Sequence, residues 1–320
     1  MELEDGDLLV VEDDTAETAE TPSPLMHLLR LEGGDCVVTE TDPSEFPTGY
    51  EPVDIEDIAF LEARYWDPDT VWFADIGDNG QVREEIALIA APYPSEDPVE
   101  PKVFKFRYPD GAHDAEALLL PRNGTPYIVT KETDGSAGVY RPGAPLDPDN
   151  VVVLDKVGEV VLEPTGTRGG PVGRVGQTMV TGGAVSKDGN FLALRTYTEA
   201  YVWPMADSDV PTALLSAPLA VTALPGSSQG EAISFHANTH SLLVGSEGVD
   251  SALSALTADE AALISDGQGM VGEFQTGGDP QPVSDSEPSL WPGLGWGLVA
   301  VVGGILLFAN PFRRGTGSGA

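Results

Sequence analysis

The stretch TGGAVSKDGNFLALRTYTEAYVW, residues 181–203, decides how the rest of the chain is read. It runs together the parts of a unit that recurs: a small acidic or glycyl group opens a short apolar strand, a second strand follows, and a polar or charged cluster ends it. The same order appears where DIEDIAF (54–60) leads to VWFADIGDN (71–79) and where HDAEALLL (113–120) leads to YIVTKETDG (127–135). It appears again where QGEAISF (229–235) leads to SLLVGSEG (241–248). DLLVVEDD (7–14) supplies half of a further unit.

Taking Glu56, Glu116, Gly183 and Glu231 as equivalent openers, the repeat recurs roughly every 50 to 70 residues, the length of a four-stranded blade extended by loops. Between the openers, TVWFAD, KVFKFRY, TPYIVTK, NVVVLD and AYVWP are β-branched or aromatic runs separated by Gly, Pro, Asn and Asp. Helical periodicity is confined to a short turn in ALSALTADEAALI (252–264). The expected fold is all-β, a β-propeller of five or six blades over residues 1–271. In a propeller the first strands of successive blades gather on one axis, so Glu56, Glu116 and Glu231 are expected to be neighbours. Glu132 and Glu247 at the ends of second strands, with Lys131 and Arg195, are expected to join them around a polar pocket.

Beyond the body, GEFQTGGDPQPVSDSEPS (272–289) is rich in Pro, Gly, Ser and acid and reads as a flexible linker. LWPGLGWGLVAVVGGILLFA (290–309) carries no charge and has the length of a membrane-crossing helix. Trp291 and Trp296 stand where an aromatic belt would sit, and Arg313 and Arg314 in the tail 310–320 direct the C-terminus to the cytoplasm. The expectation is a single-pass cell-membrane protein with its main domain extracytoplasmic. MELEDGDLLVVEDD lacks the basic and apolar regions of an export signal, which leads us to expect a start further upstream that supplies a missing first strand.

Against 16 Lys+Arg stand 52 Asp+Glu, a net charge of -36 in 320 residues, which repels phosphate backbones and argues against a nucleic-acid partner. One cysteine, Cys36, allows no internal disulfide, and the four histidines show no HExxH spacing. WFADIGDNGQVREEIALIA (72–90) has two readings. Asp75, Asp78 and Asn79, beside Glu56 and Asp57, form an oxygen-only ligand set that suits Ca²⁺. Alternatively Asp-Asn-Gly makes a tight turn with positive φ at Asn79 and Gly80, and Arg83 pairs one of the aspartates.

For the converging glutamates the choice is equally open: each ties one blade to backbone amides of the next, or together they line a pocket that binds or catalyses. Candidate catalytic groups are Glu56, Glu116, Glu231, His113, Lys131 and Arg195. A ligand- or partner-binding propeller is the first expectation, and a metal-assisted phosphoester or ester hydrolase is the alternative.

In their order and separations, DIEDIAF, FADIGDN with Arg83 behind it, HDAEAL, VTKE, GVYR, GGAVSKDGNFLALRTYTEAYVW and QGEAI resemble a family of bacterial β-propeller proteins. These are secreted or membrane-tethered, of actinobacterial type, and distantly similar to esterase-like phytase domains. The resemblance spans roughly residues 5 to 255 and implies architecture more than chemistry. Two-calcium phytase chemistry would need more basic residues than Lys131, Arg195 and Arg83.

Overall fold

Five groups of strands follow one another along the chain, each packed face to face on the next. They were seen in a computed structural model that describes residues 8–11, 25–32, 35–43, 50–66, 68–93, 100–224, 226, 228–236, 241–247, 253–257 and 275–276. Within the expected linker, Gln275 and Thr276 pair with Thr257 and Leu256 as a strand of the body; the rest of the linker, the apolar run 290–309 and the tail lie outside the described residues, and among those described no helix is long and apolar enough to cross a membrane.

The first group is the meander β1 (Leu8–Val11), β2 (Leu25–Glu32) and β3 (Asp35–Pro43), in which Cys36 pairs with Leu31 across the β2–β3 ladder. The second is β4 (Ile55–Leu61), β5 (Thr70–Asp75), β6 (Ile86–Pro92) and β7 (Lys102–Arg107). The third is β8 (Ala115–Leu119), β9 (Tyr127–Thr130), β10 (Ser136–Pro142) and β11 (Val152–Val161). The fourth comprises β12 (Val180–Val185), β13 (Phe191–Thr196), β14 (Glu199–Pro204) and β15 (Ala220–Ala223). In the fifth are β16 (Gly230–Phe235), β17 (Leu242–Ser246), β18 (Ser254–Thr257) and β19 (Gln275–Thr276). The first strands are inner neighbours: β8 lies against β4 and β12, and β12 against β16.

The period of two in each strand explains the stacking. Leu9 meets Val71, Phe73 and Ile89 in the seam between the first and second groups, while Trp72 and Leu88, one residue out of phase, face Leu118 and Ile128 of the third. Likewise Leu119 and Val129 pack on Leu192 and Leu194, whereas Ala193 and Val202 turn to Ile233 and Val244. Four seams joining the five groups of strands in chain order make a β-propeller. Middle strands are therefore buried on both faces, as in the wholly buried TVWFAD of β5, and outer strands such as β7 alternate. The Trp72 ring stacks on Phe104 at 5.7 Å, with Trp66 set edge-on at 5.0 Å from Trp72.

Three features differ from the expectation. The second and third blades are joined at their outer edges, where Val152 and Val153 of β11 pair in parallel with Phe106 and Arg107 of β7, so they form one eight-stranded sheet. Ser254–Thr257, inside the stretch expected to turn as a helix, is strand β18, because pairing with Leu242–Val244 overrides local propensity. A short helix α1 (Val210–Leu214) interrupts the β14–β15 connection, started by the Asp209 carboxylate accepting from Thr212 N–H.

Candidate functional site

The inner strands β4, β8, β12 and β16 each break their register near their start, and the break identifies equivalent residues. Glu56 is bulged out between Ile55 and Asp57, Glu116 between Ala115 and Ala117, and Thr181 between Val180 and Gly182. Glu231 and Ala232 fill the corresponding gap between Gly230 and Ile233. The opener of the fourth unit is thus Thr181, two residues before Gly183. Gly183 instead faces Leu119 and Ala117 of β8, where a Cβ would come within 3.1 Å. Thr181 ties the fourth blade to the fifth, its hydroxyl donating to the Gly230 carbonyl at 2.7 Å.

The residues opposite the bulges end the second strands at Asp75, Thr130, Thr196 and Ser246. The next residues in three successive units are Lys131, Tyr197 and Glu247, which the topology aims at the same end as the openers. Lys131 pairs with the Glu116 carboxylate through Oε1, both side chains being buried, and its Nζ lies 5.5 Å from the centroid of the Tyr197 ring. Glu116 Oε2 is buried and has no hydrogen-bond partner among the described residues. Burial pushes the Glu116 carboxyl up to about 8, against the pull of Lys131 and with Asp114 and Glu247 adding to the rise. Burial draws the Lys131 ammonium down, but Glu116, Tyr197 and Asp114 outweigh it and hold Lys131 above the ordinary lysine range.

Two further carboxylates belong to this end. Asp114 accepts from the Asp78 N–H at 2.9 Å, and burial raises its pKa. Asp54 is pushed up to about 6 by burial and by the charge of Asp114. The Oδ2 of Asp54 and Oε1 of Glu56 both press on Gly77, so closely that a Cβ there would overlap them. Sequence reasoning missed Asp54, Asp114 and Tyr197, although the recurring Asp-x-Glu of 54–56 and 114–116 was a signal for the first two.

The other expected residues are held by the protein itself. Asp75 is fully buried; its Oδ1 accepts from the N–H groups of Val53 and Asp54 and pairs with Arg83 at 2.9 Å, while Oδ2 accepts from the Tyr50 hydroxyl. Arg83 also donates to the Gly77 carbonyl at 2.6 Å, and its own N–H donates to Asp78 Oδ2 at 2.7 Å. The turn closes through Gln81 N–H to the Asp78 carbonyl, and the positive φ falls on Gln81, at 49°, rather than on Asn79 and Gly80. Asn79 is exposed. Asp57 makes a tie between blades: Oδ2 accepts from Leu118 N–H at 2.7 Å and Oδ1 from Ile58 N–H at 2.8 Å, with the Gly183 amide a third donor. Burial pushes Asp57 up to about 7, and those three amides oppose the shift. Among the described residues no three His, Cys, Asp or Glu side chains gather as a metal site would require.

Arg195, buried, donates to the carbonyls of Ala232 and Gly245 at 2.7 and 2.6 Å and so clips β13 to the fifth blade; burial lowers it to about 10, with Glu231 opposing. Glu247 accepts from the Gln229 side chain. His113 is held by its neighbours: Nδ1 lies 3.1 Å from Glu132 and Nε2 3.1 Å from both Asp110 and the Tyr140 hydroxyl.

No family model matches the chain, and no curated protein is similar to it in sequence. Among solved structures it is similar to virginiamycin B lyase from Staphylococcus aureus, at 11% identity and TM-score 0.40 over 86% of this chain and 75% of that one. It is similar to a Bacteroides fragilis protein assigned as a 6-phosphogluconolactonase, at 11% identity and TM-score 0.40 over 81% and 70%. The Dos1 propeller matches at 13% identity and TM-score 0.33 over 80% of this chain and 55% of that one. These likenesses are too distant to carry chemistry, and none bears on the actinobacterial or phytase-like resemblance. The propeller stands on the order of the blades and their four seams.

Proposed function

We propose that this chain is a membrane-anchored, extracytoplasmic β-propeller that binds a ligand at the carboxylate-lined end of its inner strands. One observation carries the binding part: Glu116 and Lys131 face each other in a buried setting with other acids close by, yet Glu116 Oε2 has no partner among the described residues. A buried acceptor left unpaired costs about 1–3 kcal/mol, and a bound donor would recover it. The anchor and the location rest on the uncharged run 290–309 followed by Arg313 and Arg314.

Binding is preferred to hydrolysis because the candidate base is occupied. Both nitrogens of His113 lie against carboxylates, and Lys131 is engaged by Glu116. A thermal-shift screen of the full chain against small metabolites, repeated on Asp54→Asn and Asp114→Asn, tests the reading. Ligands that stabilise the native chain should lose their effect in both variants. Ligands whose effect persists in both, or a screen without stabilisers, would overturn it.

A further inference from the structure

The charge around Glu116 and Lys131 has a definite sign. Asp114 and Glu247 act on Glu116, Asp114 acts on Asp54, and Glu231 acts on Tyr197, so the negative charge of carboxylates from three blades is felt at this end. The cations nearby are committed: Arg83 to Asp75 and Gly77, Arg195 to backbone carbonyls, and Lys131 to Glu116. A carboxylate or phosphate group would meet repulsion here, whereas a cation would relieve it.

We infer, resting on the binding reading above, that the ligand group taken up at this end is a primary ammonium, with Glu116 Oε2 and Asp114 as acceptors and the Tyr197 ring against its alkyl stem. A primary ammonium presents three N–H donors and suits a mixed set of carboxylates and an aromatic face. Lys131 displays that compatibility, its own ammonium lying against Glu116 and over Tyr197. A divalent metal would require several carboxylates closing on one point, an arrangement absent among the described residues. Burial, with neighbouring carboxylates adding to it, raises Glu116, Asp114 and Asp54, and it also predicts the linkage: a bound ammonium favours the ionised carboxylates and so drives protons off.

The test is isothermal titration of the full chain at pH 7 with n-butylammonium chloride, tetramethylammonium chloride, calcium chloride and inorganic phosphate. Butylammonium should bind saturably and release protons, seen as a heat that changes with the ionisation enthalpy of the buffer. Tetramethylammonium, which has no N–H, should bind at least tenfold more weakly. Glu116→Gln should weaken butylammonium at least tenfold. Because that variant leaves Lys131 unpaired and can unfold, Glu116→Gln with Lys131→Met is titrated beside it and should show the same loss. Equal affinity for the two ammonium ions, or undiminished binding in both variants, would overturn the inference. Calcium or phosphate bound at this end in place of the amine would overturn the ammonium and leave the binding reading standing. Absence of binding by every probe would also overturn the ammonium, and the screen with Asp54→Asn and Asp114→Asn would judge the broader reading.

Discussion

Lys131 and Tyr197 hold the same register position in successive blades, each following the threonine that ends a second strand, and the Lys131 Nζ lies 5.5 Å from the Tyr197 ring centroid. Between them and Glu116 the inner end of the third blade is bound to the fourth.

Removing either charge of that pair should therefore be costly, and unequally so. Glu116→Gln leaves a buried ammonium without its counterion and should cost about 3–5 kcal/mol. Lys131→Met leaves a carboxyl that burial already inclines to hold its proton, so it should cost less, about 1–2 kcal/mol. Urea unfolding of both variants and the double variant provides the cycle; equal losses would contradict the asymmetry.

Burial sets a pH dependence. Asp54 and Asp57 have folded values of about 6 and 7, above those of unfolded carboxyls. The folded state holds these protons more firmly than the unfolded chain, so their stabilisation is complete below about pH 4 and is lost as pH rises through 6 to 7. The unfolding midpoint should fall between pH 5 and pH 8, and Asp57→Asn should flatten the slope. A midpoint that rises over that range would reject the shifts.

Gly182 is a packing test of the seam between the fourth and fifth blades. A Cβ there would overlap the Glu231 carbonyl oxygen, while at Gly158 it would meet nothing within 4 Å. Gly182→Ala should destabilise by about 1–3 kcal/mol, and Gly158→Ala should stay within about 0.5 kcal/mol of the native chain. Chemical denaturation decides between this contrast and equal effects.

Calcium separates the two readings of the 75–79 turn. Asp75 already accepts two amides, a hydroxyl and the Arg83 guanidinium, so Asp75→Asn should lower the calorimetric midpoint equally with and without Ca²⁺. The loss expected is about 3–5 kcal/mol, that of breaking a buried pair. A calcium-dependent gain approaching about 2.7 kcal/mol at a hundred times the dissociation constant would instead establish a metal site there.

Much of the fold was legible as sequence because strand periodicity and turn residues are local. TVWFAD, KVFKFRY, TPYIVTK and AYVWP are strands where their composition placed them, and the recurring opener marked the inner strands. The fourth opener was misread because Gly183 resembles the other openers in spacing, whereas the bulge that defines equivalence depends on the pairing of Val180 and Gly182 with β13. Asp57, adjacent to Glu56 in sequence, separates from it in role because the bulge turns the two side chains to different partners.

By itself, then, the sequence determined that the chain is acidic, built of short strands in repeating units, and provided with carboxylates at equivalent points of those units. These properties follow from composition and from a period of two, which each segment carries alone. Only tertiary structure decided which carboxylates are used up as ties and which remain at the inner end. Asp57 and Asp75 are taken by backbone amides and Arg83, while Glu116 keeps one oxygen without a partner among the described residues, beside Lys131. The reason is that the partners arrive from other strands and turns, from Arg83 eight residues beyond Asp75 to Leu118 of the next blade 61 residues beyond Asp57, and the pairing of strands decides which donor meets which carboxylate.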